Sequence, residues 1–276
     1  MSASCCSGSL AKPTSGAVNS NRLLTLDGGC NFRDIGGYSG LEGRTVRWGK
    51  VYRAGVLSYF KDSDHPRLHG LKVRAICDLR RAEERAKEPT RWPDANTQPL
   101  FFDDGNNMPT IRAFAALRPQ TAAGMFDAMI DLYRALPEWM SGRLRGMFQG
   151  IAEEQVPMVV HCAAGKDRTG IAIGLLLAAL GVERATIIED YLLTNASDFE
   201  AFVRRQHDAQ LGLADERHPL LAMPAEMRQV LLSAQPEFLE AAFEQVDRLG
   251  GLARFLRDIC HVSDGTLESV KQTLLS

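Results

Sequence analysis

The apolar positions of this chain recur mostly at helical spacing. From Phe126 to Glu154 they return every three or four residues, and Pro137 is predicted to divide the stretch into two helices. Ala185 to Ser233 and Pro236 to Leu275 follow the same pattern. Because amphipathic helices need an apolar partner surface, we expect them to pack against a sheet.

Four short segments rich in β-branched or apolar residues are predicted to be strands: Val46 to Tyr52, Leu71 to Leu79, Gln98 to Phe102 and Val156 to Val160. The first also contains basic residues, which favours a half-buried strand near a sheet edge. The second is followed by RAEERAKE, which predicts an exposed helix. The last is followed by the loop HCAAGKD and an apolar helix from Arg168 onward, and we expect the chemistry at that junction.

Composition narrows the function classes. The chain has 276 residues, 45% of them hydrophobic, and a net charge of −2. So small a charge provides no whole-molecule field for nucleic acid, and no nucleic-acid partner is expected. The six cysteines include no CxxC or paired Cys/His spacing, which argues against a disulfide framework and a metal site and favours a reducing cytoplasm.

The chain ends and its apolar runs predict the domain organisation. Residues 1–25 are expected to form a disordered leader, and residues 26–276 a single catalytic domain. The leader lacks the basic start and apolar run of a secretory signal, although export without a cleaved signal stays open. The most apolar stretch, Ile171 to Leu180, is too short to cross a bilayer and is expected to be a buried helix.

The segment HCAAGKDRTG, residues 161–170, combines the features that phosphoester cleavage needs. A loop between a strand and a helix presents backbone N–H groups and the positive end of the helix dipole to an anion. The same field favours the Cys162 thiolate, a nucleophile at neutral pH. Arg168 can hold two phosphoryl oxygens in the transition state with its planar fork. The expected phosphate-binding residues are Ala163, Ala164, Gly165, Lys166, Asp167 and Arg168.

Neighbouring residues are expected to support this loop. The Thr169 hydroxyl is predicted to reach the Cys162 sulfur, and His161 to hold the loop through hydrogen bonds. The alternative of a buried thiol beside a solvated helix start does not explain the whole pattern. A nucleotide-binding P-loop is excluded, because Asp167 follows Lys166 where that motif requires Ser or Thr.

HCAAGKDRTG matches the HCxxGxxR[ST]G signature of the protein tyrosine phosphatase superfamily and resembles a bacterial group within it. NFRDIGGY, LKVRAICDLRRAEE and GGLARFLRD resemble further segments of that group, so the resemblance extends from about Asn31 to the C-terminus. It implies an α/β phosphatase fold, with a central, mostly parallel sheet flanked by helices and extra C-terminal helices. It also implies activity without a metal or other cofactor.

The resemblance implies a cysteine-dependent phosphatase that acts on phosphotyrosine, and by extension on phosphoserine and phosphothreonine, through a cysteinyl-phosphate intermediate. It also implies that Lys166 makes the pocket floor basic, as in lipid phosphatases, which keeps a phosphoinositide phosphatase as an alternative. A module that binds phosphate without turnover is a third reading, but Cys162 and Arg168, which such modules usually lose, are present. The expected partners are phosphorylated proteins or phosphoinositides.

The general acid has several candidates. Related enzymes place an aspartate just after the strand that begins at Gln98, which favours Asp103. Asp104, Asp167 and Asp94, the last in a Trp-Pro-Asp sequence, stay open as alternatives.

Other expectations concern the surroundings of the loop. Asp78 is expected to brace it together with Arg80, and Cys77 to be a buried small hydrophobe rather than a redox partner. A helical insertion is expected at about residues 196–232. We hypothesise that it covers the active site as a lid, and an ordinary packed helical hairpin is the open alternative.

Overall fold

The computed structural model describes residues 22–101, 110–199, 201, 203–204 and 219–276. Its strands are Arg33–Asp34 (β1), Val51–Ala54 (β2), Ala75–Asp78 (β3), Gln98–Phe101 (β4) and Met158–His161 (β5). Its α-helices are His65–Gly70 (α1), Ala82–Lys87 (α2), Ile111–Ala115 (α3), Ala122–Trp139 (α4), Ser141–Ala152 (α5), Asp167–Ala179 (α6), Arg184–Leu192 (α7), Pro219–Ala222 (α8), Ala225–Leu232 (α9), Pro236–Arg248 (α10), Leu252–Arg254 (α11) and Asp264–Leu274 (α12). A π-helical turn, Phe255–Ile259, follows α11.

The strands form one sheet in the order β1-β2-β5-β3-β4. β1 is antiparallel to β2, and the other neighbours are parallel, which confirms the predicted mostly parallel α/β sheet. β5 lies at the centre, where His161 pairs in register with Ala54 on one side and Asp78 on the other. Because parallel strands end at the same edge, the loops that follow β2, β3 and β5 meet there.

The two faces of the sheet are covered by different elements. Cys77 and Val160 point into the main core, which they share with α4, α5, α6 and α10. Ile76 and Val159 point the other way, into a smaller cluster that includes Leu68 of α1. The alternation follows from the pleat of the strands. Cys77 is thus the buried hydrophobe that the sequence predicts.

The first predicted strand is wrong in its bounds and its exposure. β2 begins at Val51, is buried throughout, and has a neighbour on each side. Val46 instead forms an isolated bridge with Leu275, close to the C-terminus. A partner so distant in sequence leaves no local signal at Val46, which explains the error.

Pro137 does not divide the long helical stretch. α4 continues through it to Trp139, and the break comes at Met140, whose φ of −94° and ψ of 3° lie outside the helical range. Pro137 is buried, and α4 packs along α10. This packing outweighs the one backbone hydrogen bond that a proline removes.

The predicted boundary of the leader is also wrong. Arg22 is buried, its Nη1 donates to the Asp34 carbonyl oxygen at 2.8 Å, and its guanidinium stacks on Tyr38 and Trp48. Residues 22–25 therefore belong to the fold, whereas residues 1–21 lie outside the described part. Of the predicted helical insertion, α8 and α9 are described and residues 205–218 are not. No helix in the described ranges has the length and apolarity needed to span a bilayer.

Candidate active site

The loop between β5 and α6 turns its carbonyl groups toward the protein. The Ala163 carbonyl accepts from the Val56 N–H at 2.8 Å, and the Gly165 carbonyl accepts from Asn31 Nδ2 at 2.8 Å. Within the described residues, the N–H groups of residues 163–165 have no protein acceptor. Together with the N-terminus of α6 they give the loop donors that can hold an anion beside Cys162, which is buried at the start of the loop.

Gly165 cannot be replaced without moving the loop. Its φ is +69°, and a Cβ atom placed on it would lie 2.5 Å from the Ala54 carbonyl oxygen and 2.6 Å from the Gly55 nitrogen. Both contacts are with backbone atoms at the end of β2, which cannot move aside as a flexible side chain could. The loop can therefore lie this close to β2 only with glycine at this position.

Arg168 is held by a two-point ion pair with Glu84. Its Nη1 lies 2.7 Å from Glu84 Oε2, and its Nη2 lies 2.7 Å from Oε1. Burial favours the neutral form of Glu84, but the charge and hydrogen bonds of Arg168 outweigh burial and lower the pKa of Glu84 to about 2. The guanidinium is thereby fixed in one orientation with N–H groups left for a ligand.

Glu84 is a site residue that the sequence reasoning missed. It lies in the run RAEERAKE, which predicted only an exposed helix. The helix is α2 and it is largely exposed, but its first turn follows the end of β3 and therefore lies beside the loop. The N–H of Arg81 donates to Glu84 Oε2 at 2.9 Å and orients the carboxylate. Its place in the first turn of the helix that follows a parallel strand is the signal that could have revealed it.

Asp78 and Arg80 form the predicted buried pair. Arg80 Nε donates to Asp78 Oδ1 at 2.9 Å, and Arg80 Nη2 to Oδ2 at 2.7 Å. His161 Nε2 lies 3.4 Å from the same Oδ2, close enough for attraction although its geometry is not that of a hydrogen bond. Burial opposes the charged form, yet His161 and Arg80 hold the pKa of Asp78 well below its usual range. His161 lies between this pair and the loop, with its Nδ1 3.2 Å from the Cys162 carbonyl oxygen.

Residues of the NFRD segment and β2 hold the loop from behind. Arg53 Nη2 donates to the Gly165 carbonyl at 3.0 Å, beside the bond from Asn31. Arg33 donates in turn to Asn31 Oδ1. Asp190 of α7 joins both arginines, with Oδ1 3.2 Å from Arg33 Nε and Oδ2 2.7 Å from Arg53 Nη1.

This network leaves an excess of buried positive charge behind the loop. The side chains of Arg33, Arg53 and Asp190 are each at most 1% exposed. Burial and repulsion from Arg53 lower the pKa of Arg33 to about 10. Burial disfavours the Asp190 carboxylate, but the two arginines hold its pKa well below the usual range. Two cations against one carboxylate favour an anion in the loop in front of them.

Lys166 does not make the pocket floor basic, contrary to the prediction. Its ammonium group is buried and donates to the carbonyl oxygens of Leu231 and of Ser233, the latter at 3.1 Å. These carbonyls lie at the C-terminal end of α9, where helices leave acceptors unpaired. The side chain therefore fastens the loop to α9, and only its backbone remains available to phosphate.

Asp167 is held at the start of α6 by a buried tyrosine. Tyr133 Oη donates to Asp167 Oδ1 at 2.7 Å and lies 2.6 Å from Tyr191 Oη. Burial and the neighbouring carboxylate raise the pKa of Tyr133 well above its usual range, so it stays a donor. Lys166 Nζ lies 3.4 Å from the same carboxylate oxygen.

The other predicted site residues have different outcomes. The Thr169 hydroxyl is buried and, in the described part of the chain, makes no hydrogen bond, so the predicted bond to Cys162 is not formed. Asp94 Oδ1 accepts from the Asn96 N–H in the turn before β4, at the opposite sheet edge from the loop, which removes it as a candidate acid. Asp103, with Asp104, lies among residues 102–109, outside the described residues.

A cavity of about 220 Å³ lies beside the start of α6. One side of it is charged and the other is mainly apolar. Its lining residues are Arg81, Glu84, Asp167, Arg168, Thr110, Ile111, Met129, Leu132, Leu136 and Leu231. Across the described ranges, no three His, Cys, Asp or Glu side chains cluster so as to hold a metal ion.

Comparisons with known proteins agree with this geometry. The model of the tyrosine phosphatase family matches residues 24–276. The triple specificity protein phosphatase PtpB of Mycobacterium tuberculosis is 29% identical over 276 residues, which covers 91% of this chain and 98% of PtpB. A Cupriavidus necator protein with a provisional tyrosine-protein phosphatase name is 31% identical over 261 residues, which covers 91% of this chain and 88% of that protein. A tyrosine-protein phosphatase of Nostoc commune is 32% identical over 146 residues, which covers 51% of this chain and 47% of that protein.

Proposed function

This chain belongs to the tyrosine phosphatase family, and on that premise we propose that it hydrolyses phosphotyrosine in proteins through a cysteinyl-phosphate formed on Cys162. Its enzyme class is that of the family, the protein-tyrosine phosphatases. Phosphoserine and phosphothreonine are proposed as further substrates, because PtpB, which matches over nearly its whole length, is named a triple specificity protein phosphatase. The proposed setting is a reducing cytoplasm, since Cys162 is a nucleophile only as a reduced thiolate.

The observation that carries the proposal is the fixed guanidinium of Arg168 beside a loop with unpaired N–H groups. The Glu84 carboxylate accepts two hydrogen bonds of 2.7 Å from the Arg168 guanidinium. The remaining N–H groups of the guanidinium are left for two phosphoryl oxygens. The loop N–H groups can bind the remaining oxygen charge. These donors are in place before substrate arrives, so little reorganisation is needed as charge develops.

The proposed reaction has two displacements at phosphorus. The Cys162 sulfur attacks, the bond from phosphorus to the tyrosyl oxygen breaks, and that oxygen takes a proton from a general acid. Water then attacks the phosphocysteine, loses a proton to the same group, and releases phosphate as the sulfur–phosphorus bond breaks. Arg168 stabilises the equatorial oxygens in both steps.

Asp103 is our proposed general acid, and Asp167 is the alternative. Asp167 lines the cavity, but its Oδ1 already accepts from the Tyr133 hydroxyl and contacts the Lys166 ammonium. We expect Asp103→Asn to lower kcat by about 100-fold or more on a phosphotyrosine peptide. The loss should be small on para-nitrophenyl phosphate, whose leaving group needs little protonation. If Asp167→Asn shows this large loss on the peptide and small loss on para-nitrophenyl phosphate, and Asp103→Asn does not, then Asp167 is the general acid.

A phosphoinositide phosphatase is the second candidate. The sequence favoured this activity because Lys166 was expected to place a positive charge in the pocket. In the structure the Lys166 ammonium instead lies against the C-terminal end of α9. A cavity of about 220 Å³ with apolar walls suits one phosphorylated aromatic side chain better than a ring with several phosphates.

Initial rates on a phosphotyrosine peptide, a phosphothreonine peptide and a soluble phosphoinositide, measured without added metal, test the proposal. We expect the phosphotyrosine peptide to be fastest and Cys162→Ser to release no phosphate. Equal turnover by Cys162→Ser and the parent would contradict the cysteine mechanism. An inactive parent that still binds phosphate analogues would favour a binding module.

A further inference from the structure

A second polar cavity, of about 290 Å³, lies at the opposite edge of the sheet from Cys162. It is lined by Arg47, Lys50, Arg74, Ala152, Glu154, Val156, Ser269, Gln272 and Thr273. Lys50 immediately precedes β2 and Arg74 immediately precedes β3, so both lie where the parallel strands begin. The mechanism proposed above uses none of these residues.

The two arginines of this cavity are fixed by backbone carbonyls. Arg47 Nη1 donates to the Thr273 carbonyl at 3.2 Å, and Arg74 Nη1 donates to the Glu154 carbonyl at 3.0 Å. A guanidinium has five N–H donors, so one bond orients each group and leaves others available. Both arginines are exposed, so their other donors are accessible to an oxyanion from solvent.

Lys50 adds a third cation. It is half-buried, and its ammonium has no hydrogen-bond or ion-pair partner in the part of the chain that the structure describes. Glu154 is the one acidic residue in the lining, so cations outnumber carboxylates three to one. Ser269 and Thr273 add hydroxyl groups from α12. A polar cavity with this excess of positive charge has the chemistry of an anion site.

We propose that this cavity binds a small anion with two adjacent phosphate groups. Three cations line the cavity, which is enough positive charge to pair with two neighbouring phosphate groups. The shared chemistry is a pair of adjacent phosphate groups, which a soluble diphosphate or a lipid head group phosphorylated at two neighbouring positions could each supply.

Titration of the isotope-labelled full chain with pyrophosphate tests the proposal by amide chemical shifts. We expect saturable shifts at Lys50, Arg74 and Thr273 that are separate from those at residues 163–165. Lys50→Gln should weaken binding at the second cavity by about tenfold or more, and Lys50→Arg should restore it. The matched charge control is Lys61→Gln, at an exposed position near α1.

Sedimentation with phosphatidylcholine vesicles that contain a phosphatidylinositol bisphosphate, with its phosphates on two adjacent ring positions, distinguishes the two sources. If Lys50→Gln weakens binding to the vesicles, the ligand is a lipid head group. If it weakens binding to pyrophosphate but not to the vesicles, the ligand is a soluble molecule. The proposal fails if neither probe depends on Lys50, or if Lys61→Gln weakens binding as much as Lys50→Gln does. Because the amides of the two sites are read separately, this result does not depend on catalysis by Cys162.

Discussion

Glu84 determines where Arg168, the arginine proposed to bind phosphate, points. Its carboxylate matches the planar fork of Arg168, and both side chains are largely withdrawn from water, at 20% and 15% exposure. Arg81 fixes the carboxylate in turn. An arginine that is already oriented spends little conformational entropy when the phosphoryl group arrives. If Arg168 binds the phosphoryl group as proposed, one carboxylate on a solvent-exposed helix would aid transition-state binding without touching the substrate.

Glu84→Gln is expected to lower kcat/KM on a phosphotyrosine peptide by about 10- to 100-fold. The substitution keeps the shape but removes the charge from a hydrogen bond of the kind that contributes about 1.5–3 kcal/mol. Glu83→Gln, one position earlier on the exposed face of α2, is the control and should behave as the parent does. An unchanged kcat/KM in Glu84→Gln would contradict a positioning role.

The same ion pair predicts a pH dependence of stability. The pKa of Glu84 is lowered from 4.5 to about 2, because the attraction of Arg168 outweighs burial. A lowered carboxylate pKa stabilises the fold fully above the unfolded value, and that contribution is lost as pH falls toward the folded value. Urea unfolding of the parent and Glu84→Gln should show a free-energy difference that shrinks between pH 4.5 and 2. A difference that stays constant over this range would rule out the linkage.

At the scale of elements, Lys166 joins the phosphate-binding loop to α9. The last carbonyls of a helix lack intrahelical partners and carry the negative end of the dipole, so a buried ammonium there is favourable. Leu231, one of its two acceptors, also lines the cavity beside the start of α6. One wall of the cavity is therefore fastened directly to the loop before α6.

Lys166→Met is expected to loosen the end of α9. Methionine keeps the apolar length of the side chain but cannot donate to the Leu231 and Ser233 carbonyls. Hydrogen exchange should become faster at residues 230–233 and stay unchanged in α12, which is remote from Lys166. Unaltered exchange at residues 230–233 would show that the tether contributes nothing to this helix end.

At the scale of the whole molecule, Asp190 joins distant parts of the chain. It comes from α7, yet it pairs with Arg33 of β1 and Arg53 of β2 and so supports the Gly165 carbonyl. Without it, two guanidinium groups would remain buried with no counter-charge. Breaking a buried pair in this way usually costs several kcal/mol.

Asp190→Asn is expected to destabilise the fold by about 3–5 kcal/mol, measured by urea unfolding at neutral pH. Asp247→Asn removes an exposed partner of Arg184 and should cost less than about 1 kcal/mol. If the two variants lose similar free energies of unfolding, the buried network stabilises the fold no more than an exposed ion pair does.

The sequence predicted what depends on neighbouring residues. The order of strand, loop and helix around Cys162 is local, and so is the Asp78 and Arg80 pair, and both were predicted. Contacts between distant segments gave no such signal. Lys166 binds α9, and Val46 pairs with Leu275, because of how the chain closes on itself. Neither partner can be read from the residues that flank it.

The strand order also affects how the chain can fold while it is being synthesised. β5 lies between β2 and β3, but the ribosome makes it well after both. At about 5–20 residues per second, the nascent chain holds two apolar strands without their central neighbour for several seconds. Their unpaired edges are then open to other chains, so this protein should depend on chaperones during translation more than one whose neighbouring strands are made consecutively.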